Sequence, residues 1–201
     1  MPRASRRDQV LEAARQLFIR TGYQGASLRA IAAASGMTMG AIYHHFRNKE
    51  DLYRGVLASN NMQDYLSHLA ALIASPDFPD NLAEVGQVIW QAARENKDFF
   101  KLVYVDILEF GGKNVKPLVQ EMRTASAAFA HDLLKDRMQR GDLVPLHPHV
   151  ILRCLTDIFL HYYLEEMMLD KSLAAETGLS ENELARQLSC ILLDGIRPRK
   201  A

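Results

Sequence analysis

The sequence predicts an all-α protein, and three observations carry that prediction. Apolar residues recur at helical spacing along most of the 201 residues, no segment sustains the two-residue alternation of a half-buried strand, and chain-breaking residues are confined to a few short clusters. Those clusters are Thr21-Gly22, Gly36, Ser75-Pro76 through Pro79, Gly111-Gly112, Gly141, Pro145 through Pro148, and Gly178. Between them the pattern places helices at 5–20, 28–35 and 39–45, a long one starting near Lys49 and running through 50–74, and others near 80–95, 97–110, 115–140, 148–170 and 181–196. A content of 48% hydrophobic and 24% charged residues is that of an ordinary globular chain. Apolar runs such as Leu69 to Ala74 stop far short of the roughly 20 residues a bilayer crossing needs. The N-terminus lacks the apolar stretch of a secretory signal, so a cytoplasmic protein is expected.

The first helix is defined by Val10, Ala14, Leu17 and Phe18 on one stripe, and the second by Leu28, Ile31, Ala32 and Ser35. Ser27 has the side chain to cap the second helix, Gly36 supplies the turn after it, and Thr38 can cap the third. Ala32, Ala33 and Ala34 leave room for the two helices to cross closely, and Ile42 with Phe46 anchors the third to the core. A connector too short for antiparallel packing makes this pair a helix-turn-helix. The outward face of its second member has the dimensions to enter a major groove of double-stranded DNA.

Charge supports that reading. Net charge is zero, yet residues 1–54 hold nine basic side chains against four acidic ones, leaving an equal acidic excess on the rest. A basic head meets a polyanion while an acidic body avoids it. Met39, Gly40 and His44 are the expected base readers, with Thr38 and Tyr43 offering hydroxyls to phosphates at the rim. Ser27 and Arg29 open the second helix toward another phosphate or an outer base, and Lys49 adds a cation at the start of the fourth. Arg3, Arg6 and Arg7 fit either a minor-groove arm or a solubilising tail.

Phe18, Thr21-Gly22-Tyr23, Ser27-Leu28, Ile31-Ala32, Ser35-Gly36, Ile42-Tyr43, His45-Phe46 and Lys49-Glu50-Asp51-Leu52 follow one another in an order and spacing that resembles the TetR family of transcriptional regulators. The resemblance covers about the first 55 residues. It implies that Tyr43 and Lys49 clamp phosphates and that Thr38, Met39, Gly40 and His44 face the groove. Met37-Thr38-Met39 departs from the commoner pattern, which places a basic residue at the third of these positions. The family architecture implied is an N-terminal three-helix DNA-binding domain, here 1–52, followed by a helical-bundle ligand-binding and dimerisation domain, here 53–201. Function follows as a ligand-responsive regulator, a repressor that binds operator DNA as a homodimer and is released by a small molecule.

For the body the residues themselves must speak. Trp90, Phe100, Tyr104, Phe129, Phe159 and Tyr163 are candidate lining for an effector cavity, although such residues at helical spacing also build cores. No cationic cluster lies among them, which favours an apolar or aromatic effector. Its entry is expected to tilt the fourth helix near Asp51 to Ser59 and change the spacing of the recognition helices. Ile151, Leu155, Ile158 and Tyr162 form one stripe and Leu184, Leu188 and Ile191 another, and two such helices suit a four-helix homodimer interface.

Other chemistries find little support. Gly111-Gly112-Lys113 lacks the spacing of a phosphate-binding loop, and no nucleophile motif occurs, so no enzyme activity and no cofactor are expected. Asp157 and His161 make a structural pair at helical spacing. His147-Pro148-His149 has ligand character, leaving a metal-responsive regulator as one alternative and an effector-independent regulator or activator as another, but the histidines do not form a compact ligand set. Cys154 and Cys190 lack metal or disulfide spacing and read as buried apolar thiols.

Overall fold

A computed structural model of the chain describes residues 5–169 and 173–196, apart from the side chains of 122, 123, 125–130 and 167–169. Helix is the only regular structure among the described residues. The helices are α1 (Arg6–Gly25), α2 (Leu28–Ser35), α3 (Met39–His45), α4 (Lys49–Ala58), α5 (Met62–Ala74), α6 (Leu82–Glu95), α7 (Lys97–Phe110), α8 (Val115–Gln139), α9 (Pro148–Leu169), α10 (Leu173–Thr177) and α11 (Glu181–Ile196). They separate into two compact units, Met1–Asn60 with Asn96–Gln120, and Asn61–Glu95 with Glu121–Ala201. The compact division therefore does not follow the boundary at residue 52: the first unit keeps all of α4 and also takes in α7.

In the first unit, the expected stripe Val10, Ala14, Leu17 and Phe18 is buried, as are Ile31, Ala32, Ile42 and Phe46. α1 opens with a capping box in which Ser5 accepts from the Asp8 N–H while the Asp8 carboxylate takes the Ser5 N–H. Those hydrogen bonds to Ser5 hold the Asp8 carboxyl below its ordinary range. α4 packs on both α1 and α7. Tyr53, fully buried on α4, donates its hydroxyl to the Leu102 carbonyl of α7 at 2.8 Å. Its ring meets Phe18, Tyr23 and Phe110 at centroid distances of 5.0, 5.3 and 5.7 Å.

The long helix expected over 50–74 is two helices. The chain leaves helical form between Ala58 and Met62 because polar side chains there compete for the last carbonyls of α4: Ser59 Oγ donates to Val56 O, and Asn60 Nδ2 to Leu57 O, both at 2.8 Å. Arg15 of α1 then grips the break, donating to both the carbonyl and the hydroxyl of Ser59.

In the second unit, α6 packs against α5, α9 and α11. α9 buries Ile151, Leu155, Phe159 and Tyr163, spaced four apart along one face, and α11 buries Leu184, Ala185, Ser189, Leu192 and Ile196. The Phe159 ring lies against α6 at Gly86, where any Cβ would collide with it. Trp90 Nε1 donates to the Phe159 carbonyl at 2.9 Å. Arg137 is buried, donates to the carbonyls of Phe78 and Ser75, and so fastens α8 to the chain between α5 and α6. Among the described residues no helix is long and apolar enough to cross a membrane.

Candidate nucleic-acid interface

Local chemistry builds the helix-turn-helix. Ser27 Oγ accepts from the Ala30 N–H at 3.1 Å and Thr38 Oγ1 from the Ala41 N–H at 3.2 Å, so both helices start on a side-chain cap. Gly36 ends α2 at φ 66, ψ 23, in the left-handed region, with its N–H returning to the carbonyls of Ala32 and Ala33. Nothing stands within 4 Å of a Cβ built there, so dihedral angle and not space demands the glycine.

The two faces of α3 differ sharply. Ile42 is fully buried, with Phe46 behind it, whereas Thr38, Gly40, Tyr43 and His44 are exposed and Met39 is half-buried. Tyr43 is 54% exposed, a large value for so bulky a ring. Ser27 and Arg29 are exposed at the start of α2. Arg6 and Arg7 lie in the first turn of α1, not in a tail, and the Arg7 guanidinium stacks over the Phe46 ring at 5.4 Å. Arg3 lies outside the described residues.

Lys49 has partners within the chain that its position in the sequence did not disclose. Its ammonium donates to the carbonyls of Tyr23 and Ala26, both at 2.9 Å, and sits 4.2 Å from the Tyr23 ring centroid. Two of the three ammonium donors thus tie α4 to the loop before α2. Sequence reasoning also missed the partners that α7 and the turn after it bring to this head. Glu109 accepts from the backbone N–H groups of Tyr23 and Gln24, and Lys113 pairs with Glu50 at 2.8 Å. The Lys113 hydrogen bond holds the Glu50 carboxyl below its usual range, and burial followed by the nearby Asp106 pushes the Tyr53 hydroxyl well above its own. No local pattern links residues 86 positions apart, so only the folded chain reveals them.

The body residues separate. Trp90 and Phe159 are buried and 6.0 Å apart between ring centroids, with Tyr162 5.3 Å from Trp90. Tyr163 is buried on the same helix under the Arg94 guanidinium. Phe100 and Tyr104 belong to the other compact unit, and the Phe129 side chain is outside the described set. Of the expected interface residues, Ile151, Leu155 and Leu184 are used up inside the subunit core, Tyr162 and Leu188 are half-buried, and Ile158 and Ile191 are exposed. Cys154 and Cys190 are exposed, contrary to the burial expected of them, because each falls one residue outside its helix's buried stripe. The rings of His147 and His131 lie 5.2 and 5.8 Å from that of His149 between centroids, and the His149 backbone N–H donates to His147 Nδ1 at 3.2 Å. Among the described residues no group of metal-ligating side chains could hold an ion.

Two capped helices crossing at a glycine turn, with the outer face of the second left open, define a helix-turn-helix DNA-binding regulator. Comparison with known proteins agrees. Residues 10–56 match the family described as bacterial regulatory proteins, tetR family. An HTH-type transcriptional repressor of Mycobacterium tuberculosis, Rv1474c, is 28% identical over 194 residues, 91% of this chain and 95% of its own. The HTH-type transcriptional repressor AcnR of Corynebacterium glutamicum is 47% identical over 47 residues, 23% of this chain and 25% of its own. Among solved structures, the fatty acid degradation regulator FadR from Bacillus halodurans superposes with a TM-score of 0.71 at 18% identity, covering 99% of this chain and all of that one. Residues 10–56 are thus those of a TetR-family regulator, and the relatives that align with the chain are HTH-type transcriptional regulators.

Proposed function

We propose that this regulator is a repressor that grips operator DNA as a homodimer and releases it when a small apolar or aromatic molecule enters the helical body. The observation that carries the reading is the two-sidedness of α3: Ile42 is sunk in the core while Gly40, Tyr43 and His44 stand clear at the end of a capped, rigid turn. Met39, Gly40 and His44 read base edges, Thr38, Tyr43, Ser27 and Arg29 hold phosphates, and Lys49 fixes the scaffold from within. One seven-residue helix reads few bases, so two copies related by a twofold axis are needed for a usable operator. Exposed Ile158 on α9 and Ile191 on α11 supply an apolar surface for that pairing. Repression is supported by the relative from M. tuberculosis, which is named a repressor and aligns over nearly its full length. An aromatic body around Trp90 and Tyr162 suits an apolar effector.

Selection of duplexes from a random pool, followed by titration in rising salt, tests the DNA reading. A site with two related halves and an affinity that falls steeply with salt is expected. Binding without sequence preference would overturn it. A thermal-shift screen of small molecules tests release: compounds that stabilise the protein should lower affinity for the selected duplex by roughly 5- to 150-fold, the usual range of coupling. Stabilising compounds that leave that affinity unchanged would instead mark a regulator that acts without an effector.

A further inference from the structure

The peptide that launches the helix-turn-helix is held by charged groups from two other helices. Gly22 breaks α1 at φ 70, ψ 175, and just past it two backbone N–H groups converge on one carboxylate. Tyr23 N donates to Glu109 Oε1 at 2.9 Å and Gln24 N to Glu109 Oε2 at 2.8 Å. A side chain at Gly22 would collide with Glu109 Oε1, so the carboxylate rests against bare backbone. The carbonyls of Tyr23 and Ala26 in the same stretch are taken by Lys49 of α4. Phe110, next to Glu109, packs its ring 4.4 Å from that of Tyr23. The residue after Ala26 is Ser27, the cap of α2. The loop is therefore fixed by a carboxylate on its donors and an ammonium on its acceptors immediately before the DNA-binding pair begins.

We infer that Glu109 is a positioning residue for operator recognition: by accepting both N–H groups it sets the direction in which α2, and α3 behind it, leave the kink. The inference rests on the operator-binding reading above. Hydrogen bonds to an ionised acceptor are about twice as strong as neutral ones, and two from one carboxylate fix orientation as well as distance. A carboxamide has nearly the same volume but turns one acceptor into a donor, setting N–H against N–H. Base contacts demand a helix placed within a fraction of an ångström, whereas phosphate contacts tolerate a shift. The loss should therefore fall on sequence-specific binding and spare non-specific binding. A merely stabilising role predicts the opposite, an equal loss in both through a larger unfolded fraction.

The test uses the full-length chain and two duplexes, the one the wild-type protein selects from a random pool and a scrambled version of it. E109Q should weaken binding to the selected duplex roughly tenfold or more, the scale of one lost bond to a charged group, while binding to the scrambled duplex stays within about twofold. Amide exchange at Tyr23 and Gln24 should accelerate while melting stays cooperative. E109D, whose side chain is one methylene shorter and so draws the carboxylate back from both donors, should show the same selective loss and serves if the glutamine variant does not fold. K113A, which removes the neighbouring ion pair with Glu50 but leaves the loop bonds, should bind as wild type. Unchanged selectivity with faster exchange, parallel losses on both duplexes, or a K113A loss equal to that of E109Q would each overturn the inference. A wild-type protein with no duplex preference would sink the operator reading and this inference together.

Discussion

Tyr43 and His44 are neighbours on the open side of α3, yet the proposed function gives them different work. A tyrosine hydroxyl at the rim of a groove can reach phosphate oxygens, which are the same at every base pair, whereas an imidazole turned into the groove meets base edges that differ. Tyr43→Ala should therefore weaken binding to selected and scrambled duplexes alike, and His44→Ala should change which sequences are selected from a random pool. A uniform loss in both variants, measured by the same titration, would dissolve that division. The exposure of both was legible in the sequence because Ile42 on the helix and Phe46 at its C-cap mark the buried side. Lys49 was not. Its charge and its place at the start of α4 were plain, but the two carbonyls that occupy it lie 23 and 26 residues earlier, at a kink no periodicity discloses.

Among elements, those defined by their own ends were the readable ones. Ser27, Gly36 and Thr38 announce a cap, a turn and a cap through chemistry confined to three or four residues, and each does what that chemistry requires. Gly36→Ala isolates one of these terms. The position has φ 66 and open space around a Cβ, so the cost is that of a left-handed backbone alone, about 1–2 kcal/mol. A fall of several degrees in melting temperature is expected, with no rearrangement of neighbouring side chains; an unchanged melting curve would show that the turn can be rebuilt cheaply. The break between α4 and α5 was hidden for the converse reason. Val56 and Leu57 keep the helical period up to its edge, and the competition from Ser59 and Asn60 depends on side-chain rotamers as well as residue type. The separation places α4 wholly in the first compact unit, with Tyr53 bonded to α7.

For the molecule as a whole, periodicity showed that α9 and α11 each carry a broad apolar surface but could not apportion that surface between the subunit's own core and a partner. Each helix turns a deep stripe inward, Ile151, Leu155, Phe159 and Tyr163 on one and Leu184, Ala185 and Leu192 on the other, so that only what remains is open to the proposed second copy. Ile191 is 68% exposed and Ile158 37%, while Leu155 is 1% exposed. This asymmetry separates assembly from folding. Ile191→Asp places a charge where the single chain loses almost no packing, so it should give a monomer by light scattering with a melting transition still cooperative, and weaken operator binding through loss of the second half-site. Leu155→Ala removes core volume instead and should cost about 2–5 kcal/mol of stability. At protein concentrations where the folded fraction remains high, that variant should still dimerise. An Ile191→Asp protein that stays dimeric at micromolar concentration would move the twofold contact away from α11, whereas a Leu155→Ala protein that is folded but monomeric would mean that the inner stripe, not the outer one, sets the geometry of the pair.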